Sequence, residues 1–323
     1  MNIARSVSPR EVVVEEALDP RAGPGDVVIR MLACGVCKTD VLDWYVERKL
    51  PRVLGHELAG EVVEVGDGVD HVAPGDRVAV HHHAPCGECR RCRRGHETLC
   101  ERFRASGLDP GGFAEFVRVP ADLAGELLTL DGLDPLAATF VEPLGCVVRC
   151  QDRAGLRGGD SLLVVGAGAN GLLQIAAAHA RAVDAVWVRE PRPERLALAQ
   201  TWGAEHHGNE QVDVAIVCAP EADAVAEAAR HVAPGGTLCL YAPLAPGTAL
   251  PVEGEPLFTR ELTVTASYAA GPGDMRAALD LLRAGTVDPV SLVSHRLALE
   301  ETGRAFELAR SGEALKAVVL PAR

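Results

Sequence analysis

The chain has 323 residues, with 45 acidic side chains against 32 Lys plus Arg and a net charge of −13. That length accommodates two domains, and 48% hydrophobic with 24% charged residues is a globular composition. The acidic balance excludes nucleic acid or an anionic membrane surface as the main partner. No apolar run reaches the ~18–20 residues of a transmembrane helix.

The first residues, Met1 to Ser6, lack the apolar core of a signal peptide, so a cytoplasmic protein is expected. Residues 10–120 read as an irregular β-rich region of barrel or sandwich type. Its strands are short β-branched runs: Val27 to Met31, Glu61 to Val65 and Arg77 to Val80. Turns such as Gly66-Asp67-Gly68 and Pro74-Gly75-Asp76 separate them. His81-His82-His83 follows the third strand and leads directly into a cysteine-rich loop; it reads either as a lining of a cleft near a metal or as a solvated turn, the latter being favoured.

Next come four cysteines in fifteen residues, Cys86, Cys89, Cys92 and Cys100. Zn²⁺ favours four thiolates in a closed tetrahedral shell, and a short loop can supply them. In a reducing compartment clustered cysteines mean metal rather than disulfides. A closed shell of this kind stabilises a loop and does no chemistry.

Near residue 146 the texture changes. Ser161 to Val165 is a continuous apolar run, as for a strand buried on both faces. A helix is expected from Asn170 to Arg181, a strand over 185–188, a helix from Glu194 to Trp202, a strand over 212–218, a helix over 221–232 and a strand over 237–241. This alternation predicts a parallel, doubly wound sheet. A last amphipathic helix, Asp274 to Ala284, precedes a final β/α segment ending near Leu320.

Gly166-Ala167-Gly168-Ala169-Asn170-Gly171 is G-x-G-x-x-G placed between an expected buried strand and an expected helix. That context makes it a dinucleotide loop of Rossmann type. Gly166 allows the turn, Gly168 the approach of a pyrophosphate, and Gly171 close packing of the helix, which Asn170 helps to open. Glu190, 19 residues beyond Gly171 and at the end of the next strand, would bond the adenosine ribose and repel a 2′-phosphate. NAD is therefore favoured over NADP, with Arg189 and Arg192 as the residues that could meet a phosphate.

Three further segments carry metal-ligand chemistry: Gly35-Val36-Cys37-Lys38-Thr39-Asp40, Gly55-His56-Glu57 and Val141-Glu142-Pro143-Leu144. A Cys, His and Glu set suits an open, catalytic zinc shell. Together with the four-cysteine loop, the nucleotide loop, Pro74-Gly75-Asp76-Arg77-Val78, Gly111-Gly112-Phe113-Ala114-Glu115 and the Lys316 to Pro321 ending, they give the chain a strong resemblance to the zinc-dependent medium-chain dehydrogenase/reductase family. Glu142-Pro143-Leu144 is most similar to its alcohol, polyol and threonine dehydrogenase branch.

The resemblance implies a β-rich, GroES-like catalytic domain over 1–145 and 266–323, a Rossmann domain over 146–265, and an active site in the cleft between them. It implies Cys37, His56, Glu57 and Glu142 as the catalytic zinc set, Thr39 as proton relay, and Asp40 as an anchor beside it. The Cys86 set becomes the structural zinc site, giving two Zn²⁺ per chain. Gly166, Gly168, Asn170, Gly171 and Glu190 become cofactor contacts. The implied reaction is hydride transfer between a nicotinamide cofactor and a secondary alcohol or ketone, a polyol or an amino or hydroxy alcohol, in a dimer or tetramer. A zinc-free reductase of enones or quinones would not need Cys37, His56 and Glu142 together. A non-enzymatic zinc or nucleic-acid module, suggested by six arginines in residues 90–104, conflicts with the charge balance.

Overall fold

In the computed structural model residues 1–321 are described, so the last two residues of the expected 266–323 segment lie outside the described residues. The chain divides into two units, Met1–Pro143 with Ala270–Arg323, and Leu144–Ala269.

The first unit is built around strand Val27–Gly35, whose residues are buried on both faces rather than alternately. It pairs antiparallel with Glu57–Val65, with Gly35 opposite Glu57. Arg77–Val80 extends the sheet beyond Glu57–Val65. Phe116–Val119 pairs with the first half of Val27–Gly35, and Lys316–Leu320 with its last two residues. Val293–Ala298 then adds in parallel to Lys316–Leu320. A separate three-stranded antiparallel sheet joins Glu11–Glu16, Asn2–Ser8 and Arg52–Val53. Ile29, Met31, Leu58, Phe113 and Leu123 fill the core with no residual exposure above 2%.

Asp26 closes one end of this core. Only 7% exposed, it accepts hydrogen bonds from Gly23 N–H (3.2 Å), Ala121 N–H (2.9 Å) and the Arg118 guanidinium (3.0 Å). Burial alone would raise its pKa, but Arg118 and the two amides outweigh it and hold the carboxyl below the ordinary value of 3.8. A carboxyl with a depressed folded pKa adds stability that is fully present above the unfolded pKa and lost as pH falls through the folded one. Asp26→Asn is therefore expected to lower unfolding free energy at neutral pH by about 1–3 kcal/mol. In urea titrations the gap from the parent should shrink as pH falls below 3.8; a gap independent of pH would contradict this.

The second unit holds a six-stranded, wholly parallel sheet. Its spatial order is Glu205–His206, Ala185–Arg189, Ser161–Val165, Val212–Val217, Val232–Leu240 and Thr263–Ala266. Helices Ala169–Ala180, Pro193–Thr201 and Ala222–His231 alternate with the strands. Parallel strands need such crossovers, and the helices bury Leu163, Ala215, Val225 and Leu238 between layers. The fifth strand starts at Val232 rather than Thr237. Pro234-Gly235-Gly236 looks like a stop, but Val232 still pairs with Val212 ahead of a register shift. The architecture is α/β, a Rossmann sheet plus a β-rich GroES-like unit. Among the described residues no helix is long and apolar enough to cross a membrane.

Candidate active site and metal centres

The four cysteines of the 86–100 loop form one group whose sulfurs all lie within 4.8 Å of one another. Cys89 Sγ is 3.5 Å, and Cys86 Sγ 3.9 Å, from Cys92 Sγ. Sulfurs at about 2.3 Å from a shared tetrahedral Zn²⁺ stand roughly 3.8 Å apart, so the spacing is that of a metal shell and too long for a disulfide. Backbone amides point at two of the sulfurs, while burial pushes the Cys92 thiol up to about 12. Cys89 N–H donates to Cys86 Sγ (3.3 Å) and Cys86 N–H to Cys100 Sγ (3.4 Å). Although burial opposes it, amides of Cys86, Phe103 and Arg102 bring the Cys100 thiol down to about 6.

The second group is assembled by strand pairing. Gly35 and Glu57 face each other in register, so Cys37, two residues past one strand end, and His56, one residue before the other, arrive at the same edge. Ligand atoms of Cys37, His56 and Glu57 lie within 4.8 Å of one another. The turn Lys38–Val41 is closed by Asp40, which accepts from Cys37 N–H at 3.3 Å and places its other oxygen 3.5 Å from His56 Nδ1. That contact orients the ring and leaves Nε2 for a metal. Thr39 donates its hydroxyl to Cys37 Sγ at 3.1 Å.

Glu142 lies 7% exposed in the first turn of helix Val141–Ala154. It is outside the close trio, but both His56 and Lys316 feel its charge. Burial would lower the His56 pKa, yet Asp40, Cys37 and Glu142 hold it well above 6.5. A pocket of anions that draws a positive charge onto its own histidine suits a divalent cation, and the mixed S, N and O donors suit zinc.

Lys316, not singled out from sequence as a site residue, completes the arrangement. It begins the strand on the far side of Val27–Gly35 and forms a buried ion pair with Glu57, the two being 6% and 2% exposed. Its ammonium also lies 5.6 Å from the Phe140 ring centre. Gly35 makes the room: a Cβ there would collide with Glu57 Oε2 and stand 3.1 Å from Lys316 Cε. The one signal in sequence was a lone lysine at the head of the apolar run Ala317 to Leu320.

His81-His82-His83 is not a solvated turn. His81 is 2% exposed, and burial brings its pKa down to about 4 and that of His83 to about 3. His81 and His83 rest on the Phe103 ring, at centroid distances of 5.7 and 4.8 Å. The His82 ring lies 4.1 Å from that of His83 and 4.8 Å from that of His56. Part of what buries the triplet, the Phe103 ring, comes from beyond the cysteine loop, and the signal that did point away from a solvated turn was that the triplet leads directly into that loop.

In the second unit the glycine loop leaves Val165 and enters helix Ala169–Ala180, with Gly168 as its N-cap and Asn170 in its first turn. Gly166 has φ +99°, which favours glycine, and a Cβ on Gly171 would collide with Gly166 O. Glu190 reaches this loop. Its carboxylate accepts from Ala167 N–H (2.7 Å) and Arg192 N–H (3.0 Å). Arg189 is engaged elsewhere, with Glu227 (2.7 Å), His207 Nδ1 (3.0 Å) and Gly208 O (2.6 Å).

Residues 23–128 match the alcohol dehydrogenase GroES-like domain, and residues 169–284 the zinc-binding dehydrogenase domain. The chain is 33% identical to the L-threonine 3-dehydrogenase of Pyrococcus horikoshii, over 93% of this chain and 92% of that one. It is 30% identical to the sorbitol dehydrogenase of Bacillus subtilis, over 97% and 95%. A crystal structure from Sinorhizobium meliloti 1021, a chain assigned as a zinc-binding dehydrogenase and bound to NADP, superimposes with a TM-score of 0.88 at 28% identity, covering 99% of each chain. These matches run through both units, and the chain belongs to the zinc-dependent medium-chain dehydrogenase/reductase family.

Proposed function

We propose that this enzyme oxidises neutral secondary alcohols carrying further polar groups, polyols or amino alcohols, with NAD as acceptor, and reduces the matching ketones. The observation that carries the reading is the convergence of Cys37, His56 and Glu57 within 4.8 Å, beside the Thr39 hydroxyl. Zinc held there would supply Lewis acidity to a substrate oxygen, and a nicotinamide cofactor bound at the glycine loop would supply the hydride acceptor. The chain's own residues do the rest. Cys37 and His56 bind the metal, Asp40 orients His56, and Lys316 balances Glu57 while Glu142 adds a further anionic charge. The Thr39 hydroxyl both donates and accepts, so it can carry the released alcohol proton away. Relatives named for threonine and sorbitol support a polar substrate. The carboxylates around the metal position favour neutral substrates over acids.

NAD is favoured because Glu190 stands at the loop while Arg189 is tied to Glu227 and Arg192 Nε to Glu194 (2.9 Å). Glu190→Ala should raise the NADP-to-NAD ratio of kcat/KM about tenfold or more, by removing a charge that repels a 2′-phosphate. An unchanged ratio would move the choice of cofactor to other residues.

We assign Cys86, Cys89, Cys92 and Cys100 to structural zinc, and read the enzyme as a cytoplasmic homo-oligomer, a dimer or tetramer. The test is elemental analysis of the purified protein together with NADH absorbance over a panel of polyols and amino alcohols. Two zinc ions per chain and turnover of the panel are expected. One zinc ion, or turnover confined to sugar acids, would overturn the reading.

A further inference from the structure

The chain passes between its two units twice, after Pro143 and after Ala269. The first crossing lies inside helix Val141–Ala154, which its own backbone hydrogen bonds stiffen. The second lies between elements, after strand Thr263–Ala266 and before helix Pro272–Arg283. There Ala269 has φ +56°, a left-handed conformation that an alanine keeps only where its surroundings over-determine it.

The residues just past Ala269 are met by the four-cysteine segment. Glu97 belongs to the turn Glu97–Leu99, and Cys100 N–H donates to its carbonyl at 3.0 Å, so whatever fixes Cys100 fixes this turn. The Glu97 side chain lies over Gly271, the N-cap of helix Pro272–Arg283. A Cβ on Gly271 would collide with Glu97 Oε1 and stand 3.0 Å from its Cγ and 3.1 Å from its Cδ. With φ −94° and ψ 173°, the Gly271 backbone is open to any residue, so the glycine is there for room rather than for conformation. Asp274 takes the Gly271 N–H at 2.7 Å. Glu97 adds packing, and a negative charge at the positive end of the helix dipole. Ala270, 1% exposed, is held beside it: the His81 ring lies against its backbone and rests in turn on Phe103, just past Cys100.

We infer that the four-cysteine segment clamps the return crossing. Glu97 is the positioning residue: it grips Gly271 while His81 holds Ala270, and together they keep Ala269 left-handed. Metal at Cys86, Cys89, Cys92 and Cys100 then sets how stiff this crossing is. The metal dependence rests on the assignment of those cysteines to structural zinc; the grip of Glu97 rests on its contacts alone.

The test is amide hydrogen exchange of the whole enzyme, read by mass spectrometry over residues 266–276, with zinc content measured alongside. Glu97→Ala should speed exchange of that segment about three- to tenfold, the scale of one charge and one packing contact at a helix start. Exchange in strand Ser161–Val165 and the content of two zinc ions should not change, whereas general destabilisation would move both. Gly271→Ala, which pushes the carboxylate aside, should act in the same direction, and the double variant should exchange no faster than Glu97→Ala alone. Glu97→Gln, which keeps the packing and loses the charge, should lie between parent and Glu97→Ala, and it serves alone if the alanine variant does not fold. Cys89→Ser should release one zinc ion and loosen the same segment. Unchanged exchange in the Glu97 variants, or additive effects of Glu97→Ala and Gly271→Ala, overturns the clamp. Loss of one zinc ion with residues 266–276 still protected overturns its dependence on metal. If Cys89→Ser keeps both zinc ions, the structural zinc assignment fails, while the Glu97 variants still decide the grip.

Discussion

His56→Ala is expected to release one of two zinc ions per chain and to lower kcat/KM for alcohol oxidation by at least about a thousandfold, since a Lewis acid at this site would lower the barrier by several kcal/mol. The imidazole supplies the only nitrogen in a trio otherwise made of a thiol and a carboxylate. A carboxylate already engaged by Lys316 cannot readily replace it. Asp40→Asn should be milder, about ten- to hundredfold, because it leaves every ligand in place and disturbs the orientation of His56, through the 3.5 Å contact with Nδ1, and the turn that carries Cys37. The four-cysteine zinc should persist in both variants, so metal content by mass spectrometry separates loss of the site from unfolding. A His56→Ala protein that keeps two zinc ions and most of its activity would exclude the trio as the catalytic centre.

Lys316→Met should lower the stability of the first unit by about 3–5 kcal/mol, the usual consequence of stripping one partner from a buried ion pair. Burial alone would lower the lysine's pKa, but Glu57 and Cys37 raise it above 10.5, so the ammonium is charged at every working pH. Glu57, 2% exposed, would then lose its counter-charge. The double variant Glu57→Gln with Lys316→Met should recover most of the loss, since neither charge remains. Urea unfolding of the parent, the singles and the double gives the coupling directly. Additive losses across the cycle would show that the two side chains do not depend on one another.

Much of this was legible in the sequence because it is local. The four cysteines sit within fifteen residues, and the glycine loop declares itself through the apolar strand before it and the helix after it. Glu142 could be placed at a helix start from the proline that follows it, and it lies in the first turn of Val141–Ala154. What the sequence concealed is long-range. Lys316 meets Glu57 across 259 positions, and no periodicity announces such a pair. The histidine triplet looked like a solvated turn because polar runs usually are, and only the Phe103 ring and the His56 site show why it is buried. Arg189, adjacent to Glu190, looked available to a phosphate until its contacts with Glu227 and His207 emerged from strand and helix packing.

The strand that carries Lys316 has a consequence for biogenesis. A chain leaving the ribosome exposes Cys37, His56 and Glu57 long before residue 316 has been translated, with the whole Leu144–Ala269 unit emerging in the interval. Nascent polypeptide therefore carries Glu57 without its cation until synthesis is nearly finished. Completion of this pocket therefore waits for the last strand, and prematurely terminated products would leave Glu57 without its cation even with Cys37, His56 and Glu57 in place.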